Sequence, residues 1–192
     1  MINKLCDIAD IFLGHSFREK LENSVDSNTF VIQPRDIKTD TSIDYNGLIK
    51  VSLSTGGKSM LKRKDVLITN RGRFTSSIFC NKDSAQYLCT SGVFVIRVSS
   101  QQFDPEYVSL YLNSKDGQKQ ILNLLETTTI PFINKSNISN VTIPSLTLKE
   151  QYDVVEKFND FKDYFILTKK KMATEQQIIN KYIDITIRKG AK

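Results

Sequence analysis

At 192 residues the chain favours one globular domain plus an appendage over two full domains. Hydrophobic residues make up 40% and charged residues 25%, an ordinary globular composition that excludes a disordered chain. The net charge of +6 and a pI near 9.1 suit a polyanionic partner without demanding one. Cys6, Cys80 and Cys89 are odd in number and lack C-x-x-C spacing, which argues against a disulfide framework or a zinc site and fits a reducing cytoplasm. Met1-Ile2-Asn3-Lys4 has no apolar core of a signal peptide, and no stretch approaches the ~20 apolar residues of a membrane span.

In chain order, Leu5 to Leu13 is a first short element ended by Gly14. Phe30-Val31-Ile32-Gln33 predicts a strand that stops at Pro34. Leu48 to Leu53 alternates apolar and polar residues as a half-buried strand does, and Ser54-Thr55-Gly56-Gly57 is a loop. Val66-Leu67-Ile68 and Gly92 to Val98 are two further strands. Asp104 and Pro105 predict a helix start that runs to Asn113, and Lys115 to Leu125 continues it after a break. Ile130 to Ile143 is expected to close the domain with short strands around Pro131 and Pro144.

From Leu148 the pattern changes, with no Pro or Gly until Gly190. Val154, Phe158, Phe161, Phe165, Thr168, Met172, Glu175, Ile179, Tyr182 and Thr186 fall at alternating spacings of four and three. This is a heptad seam with polar interruptions. A helix over 148–188 is about 60 Å long at ~1.5 Å per residue. Such a helix either folds back on its own domain or forms a coiled coil, and the persistence of the seam favours the coiled coil. The reading is therefore a mixed α+β fold, with a domain over 1–147 and a long dimerisation helix over 148–192. Phe158, Phe161, Phe165, Ile179 and Tyr182 are the expected dimer contacts.

No enzymatic constellation emerges. His15 is the only histidine, so a His-rich metal site is excluded, and its place beside Gly14 suits a surface turn. Neither a G-x-x-x-x-G-K-[ST] loop nor a G-x-G-x-x-G turn is present, and Gly56-Gly57-Lys58-Ser59 matches only the end of the first. Asp36-Ile37-Lys38 has the Asp-x-Lys spacing of metal-dependent nucleases, which keeps a small magnesium nuclease as one alternative.

The chemistry that is present is basic and polar. Lys50, Lys58, Lys62, Arg63, Lys64, Arg71 and Arg73 are opposed within their segment only by Asp65. Lys and Arg neutralise phosphates, Arg can grip guanine O6 and N7 with two bonds, and Asn does the same for adenine. Lys58, Lys62, Arg63, Arg71 and Arg73 are the candidate DNA contacts, with Asn70 as a base reader; a solvated basic face is the alternative. Thr127-Thr128-Thr129 and Asn134-Lys135-Ser136-Asn137 form a second polar cluster, for which turn and capping chemistry is the alternative.

The order of these segments resembles the specificity (S) subunits of type I restriction-modification systems. Leu5-Cys6-Asp7-Ile8-Ala9-Asp10-Ile11-Phe12-Leu13-Gly14 looks like the family's opening strand before a glycine. Phe30-Val31-Ile32-Gln33-Pro34-Arg35-Asp36-Ile37 is similar to its I-x-x-x-D-I segment, which gives Asp36 a structural role. Leu61 to Gly72 looks like its L-x-x-G-D-I-L-I-x-x-x-G segment, with Lys64 in place of the usual glycine. Pro105-Glu106-Tyr107-Val108, and Ile143 to Gln151 entering the long helix, match its last two landmarks.

The resemblance implies a target-recognition domain that binds a few base pairs and carries no cofactor or metal of its own. S-adenosylmethionine is expected on partner methyltransferase (M) subunits, and a restriction (R) subunit is a further expected partner. Family members carry two recognition domains and two antiparallel helices, so this chain looks like half of an S subunit. It is then a cytoplasmic homodimer, or one part of a split protein. A dimeric adaptor that binds no DNA is a second alternative.

Overall fold

The computed structural model describes residues 2–18, 21–24, 27–52, 59–81, 83–125 and 131–190, with side chains through 187. The chain divides into two compact units, Met1–Tyr152 and Asp153–Lys192.

In the first unit, β1 (Ile2–Lys4) pairs antiparallel with β9 (Thr142–Pro144). The expected first element is a single helical turn, α1 (Leu5–Ile8), followed by β2 (Ala9–Leu13). A four-stranded antiparallel sheet has the order β2, β8 (Val93–Val98), β5 (Val66–Thr69), β6 (Ser76–Ile78). A three-stranded sheet has the order β4 (Ile49–Lys50), β3 (Thr29–Ile32), β7 (Gln86–Cys89), with β3 and β7 parallel.

All four residues of β5 are buried, as a central strand covered on both faces requires. Leu67, Val93 and Val95 join Ile32, Tyr87 and Cys89 of the three-stranded sheet in one apolar cluster. By strand alternation Val66, Ile68, Phe94 and Ile96 occupy the other face, where α2 (Pro105–Asn113) lies against β5 and β6.

Gly14 ends β2 because no side chain fits there: an added Cβ would lie 2.3 Å from the Thr90 carbonyl oxygen. The helix start at Pro105 is as expected, and Asp104 Oδ1 accepts from the amides of Glu106 (2.8 Å) and Tyr107 (3.3 Å). α3 (Lys115–Asn123) follows, capped by Ser114.

Several expectations fail for local reasons. Of the strand expected over 48–53, the described part, residues 48–52, forms a strand only at Ile49–Lys50, which pairs with β3, and residue 53 lies outside the described residues. The segment before β9 contains a helix, α4 (Lys135–Ser139), because Asn134 Oδ1 caps it at the Asn137 amide, 2.8 Å away. The capping reading therefore holds for Asn134 to Asn137. β6 carries no strand signal in the sequence, since Ser76 and Ser77 are polar. Hydrogen bonds hold it instead: Asn113 Nδ2 donates to the Ser76 carbonyl (2.8 Å) and Asn113 Oδ1 accepts from the Ser76 amide (2.8 Å). The Ser76 and Ser109 hydroxyls also meet at 2.9 Å.

The long helix α5 (Leu148–Gly190) starts as the sequence indicates. Thr147 and Glu150 form a reciprocal cap, with the Thr147 amide donating to Glu150 Oε2 (2.8 Å) and the Glu150 amide to Thr147 Oγ1 (3.3 Å). One turn later Gln151 is fully buried. Its Oε1 accepts from the Asp104 amide (2.8 Å), and its Nε2 donates to the carbonyls of Gln102 (2.8 Å) and Leu146 (2.9 Å). One side chain thus joins the start of α5 to the cap of α2. Gln151→Ala should cost about 2–3 kcal/mol, because it strands the buried Asp104 amide and leaves a cavity. A lower urea midpoint at unchanged m would register it. Among the described residues no helix is long and apolar enough to cross a membrane.

Candidate nucleic-acid interface

The basic segment read from the sequence is not one patch. β5 runs through its middle, and its four residues span about 13 Å at ~3.3 Å each. Lys62, Arg63 and Lys64 lie at one end of the strand; Asn70, Arg71 and Arg73 follow the other.

At the first end, Asp65 organises the turn. Its buried carboxylate accepts from the Lys62 amide (2.7 Å) and from Arg97 Nε (2.8 Å) and Nη2 (2.7 Å). Lys64 adopts the left-handed conformation, φ +70, and its ammonium meets Asp104 Oδ2 at 3.5 Å. Lys62 reaches an open cleft of about 630 Å³ shared with Cys6, Asp10, Phe12, Arg97 and Lys135. Arg63 lines a separate cleft of about 270 Å³ with Asn81, Asp83 and Tyr87. Lys50 is elsewhere, its ammonium 5.2 Å from the Phe30 ring centre in the three-stranded sheet. Lys58 and Thr127-Thr128-Thr129 fall outside the described residues.

At the second end, the β5–β6 hairpin carries Arg71-Gly72-Arg73 on its tip, all three exposed. Gly72 has φ +72, a conformation other residues adopt only with strain. Asn70 and Phe74 flank the tip and both turn inward. Asn70, expected to read bases, is only 3% exposed, its Nδ2 donates to the Ser91 carbonyl (2.8 Å), and its amide donates to the Gly92 carbonyl (3.0 Å). It anchors the loop and presents no amide edge to a ligand. Thr69 Oγ1 donates to the Arg73 carbonyl and Gln118 Nε2 to the Phe74 carbonyl (2.9 Å), so the tip rests on a fixed base.

A second loop docks on this tip. The Ile133 amide donates to the Asn70 carbonyl (2.9 Å) and the Gly72 amide to the Pro131 carbonyl (3.4 Å). Arg71 and Phe132 therefore oppose each other across a short antiparallel bridge. Ile133 is buried, whereas Phe132 is 42% exposed. Sequence reading missed Phe132, since nothing local pairs a loop phenylalanine with an arginine in a distant hairpin. Among the described residues, Lys62, Arg63, Arg71 and Arg73 form no salt bridge with a carboxylate.

The other candidates resolve into structure. Asp36 Oδ2 accepts from the Gln33 amide (2.8 Å) in a capping box, while Lys38 pairs with Asp44 (3.3 Å). His15 bridges to Thr90 and packs its ring edge-on against Phe17 at 4.7 Å. Among the described residues no group of three His, Cys, Asp or Glu side chains is placed to hold a metal ion.

The profile of the family described as "Type I restriction modification DNA specificity domain" matches residues 1–181. The chain belongs to this family.

Solved structures agree with the specificity domain in fold. One, described as the structural basis of complex assembly and conformational transition of the type I R-M system, superposes with a TM-score of 0.67 at 19% identity, covering 90% of this chain and 40% of that one. The HsdS subunit of Thermoanaerobacter tengcongensis gives 0.61 at 18% identity, with 88% and 39% covered. The type I S subunit of M. genitalium gives 0.57 at 15% identity, with 85% and 39% covered. The specificity domain thus spans about two fifths of the length of these chains. No curated protein matches it significantly. The left-handed backbone at Lys64 gives a physical reason for the glycine that the resemblance expects there.

The second unit of the chain, the rest of α5, buries Val155 but exposes most of its other large apolar side chains. Phe161, Phe165, Ile179 and Tyr182 are exposed and Phe158 is half-buried. The Phe161 and Phe165 rings stack at 6.4 Å. Beside the seam, Tyr164, Ile178 and Ile185 are exposed as well, so the apolar stripe is wider than the seam alone.

Proposed function

We propose that this chain recognises a short DNA sequence for a type I restriction-modification assembly and catalyses no reaction itself. The observation that carries the reading is the Arg71-Gly72-Arg73 tip: two arginines that, among the described residues, have no carboxylate partner, on a hairpin fixed at its base, in a DNA specificity domain. Phosphate contacts from Lys62 and Arg73 set the register, and base contacts supply the sequence. Methylation, with its S-adenosylmethionine, and any cleavage belong to M and R subunits in the cytoplasm.

The chain acts as a homodimer through α5. The width of its apolar stripe supports packing by more than one helix, such as a second copy together with a helix of an M subunit. Two recognition domains related by two-fold symmetry then read a two-part target.

The test is a binding titration over a range of salt. Arg71→Ala with Arg73→Ala should weaken DNA binding at least tenfold and lower the log–log salt slope by about 1–2. Unchanged affinity and slope would remove this hairpin from the interface. Absence of any salt-dependent binding by the unmodified chain would favour the adaptor reading instead.

A further inference from the structure

The two arginines of the tip are not equivalent. Arg71 and Phe132 form a directly opposed pair flanked by the Ile133-to-Asn70 and Gly72-to-Pro131 hydrogen bonds, with none between the pair itself. In antiparallel ribbons this type of pair brings side chains closest. The Arg71 guanidinium carbon lies 5.2 Å from the Phe132 ring centre. Phe132 does not fill the core, a role taken by its buried neighbour Ile133; its exposed ring serves as a surface against which the guanidinium rests. Among the described residues Arg73 has no such ring, and Lys62 is a rotatable point charge.

We infer that Arg71 reads a guanine base in the major groove and that Phe132 is its positioning residue, holding the guanidinium for a two-bond contact with O6 and N7. The inference rests on the DNA-recognition reading above. With the Arg71 guanidinium over the Phe132 ring, its N–H edge stays open to a ligand, since among the described residues it meets no carboxylate. Guanine presents two acceptors in one plane, which that edge matches. Contact with the ring restricts the arginine before DNA arrives, so less freedom is lost on binding. Asn70, the neighbour chemically suited to adenine, is engaged inside the fold.

The experiment uses the full chain and a duplex selected by it from a random pool. Each guanine of the selected site is replaced in turn by 7-deazaguanine, which keeps base pairing and removes N7. The unmodified chain should lose about tenfold in affinity at one guanine of each half-site. Arg71→Ala should be weaker on normal DNA and indifferent to that replacement. Phe132→Leu should lose most of the same discrimination with an unchanged salt slope, and Phe132→Tyr should restore it. Arg71→Ala retaining every 7-deazaguanine sensitivity would overturn the base contact. Phe132→Leu keeping full discrimination, or weakening all sequences alike, would overturn the positioning role. Failure of the unmodified chain to retain any duplex at low salt would instead bring down the DNA-recognition reading itself, and this inference with it.

Discussion

Replacing Arg97 with alanine should remove about 3–5 kcal/mol of stability from the first unit. Asp65 is only 2% exposed, and among the described residues Arg97 supplies two of the three hydrogen bonds to its carboxylate. Arg97 Nη2 also donates to the Met60 carbonyl (3.0 Å), and its guanidinium covers the Phe12 ring at 5.2 Å. The aspartate beside it holds the guanidinium pKa above its ordinary value despite burial. Truncating the arginine leaves a buried carboxylate with one backbone N–H, which is the costly half of a broken ion pair. The loss is a large share of the ~5–15 kcal/mol typical of a domain. Because the chain has no Trp, tyrosine fluorescence in urea is the readout, and the midpoint should fall by about 1–3 M at unchanged m. Asp65→Leu combined with Arg97→Met should recover part of the loss, since an apolar pair carries no buried charge. A midpoint unchanged by Arg97→Ala would mean that water reaches Asp65 and the pair contributes nothing.

The same turn shows how far the sequence could be read. Runs such as Val66-Leu67-Ile68 and Val93 to Val98 announce buried strands, and Asp104-Pro105 announces a helix start, because the causes lie within a few residues. The charge between Lys50 and Arg73 was equally plain, but its division by β5 was not, since position along a strand decides which end of the domain a side chain reaches. Asn70 turns inward for the same reason. Its neighbours are arginines, yet its burial is set by the Ser91-Gly92 turn, which the tertiary fold brings to it. β6 is held by Asn113 and Ser109 of a helix, and Phe132 meets Arg71 across a bridge between segments far apart in sequence; neither leaves a local signature. Lys64 stands in a left-handed turn that would suit glycine, and only its backbone angle discloses this.

The homodimer reading makes the other large prediction: Phe161→Asp with Phe165→Asp should turn a dimer into a monomer. Phe161 is 64% exposed and Phe165 50%, and burying such a ring stabilises by about 1.5–3 kcal/mol. Pairing α5 antiparallel with a second copy sets Phe158 against Tyr182 and Phe161 against Ile179, which covers both ends of the seam at once. The polar middle, Thr168 to Lys171, then lies at the two-fold axis. Two of its lysines are drawn along their own helix: Lys169 sits 4.7 Å from the Phe165 ring centre, and Lys171 meets Glu175 at 3.8 Å. Two aspartates per copy would place four charges in the apolar seam, far more than the contact can absorb. Because both phenylalanines are exposed, the urea midpoint of the first unit should not move. Sedimentation at micromolar concentration should show monomers that bind single half-sites weakly. The unmodified chain should prefer inverted repeats whose centres lie one to two helical turns apart, at about 34–36 Å per turn. If the unmodified chain sediments as a monomer with and without an M subunit, the seam belongs to a different helix, and the chain is one half of a split S subunit reading an asymmetric target.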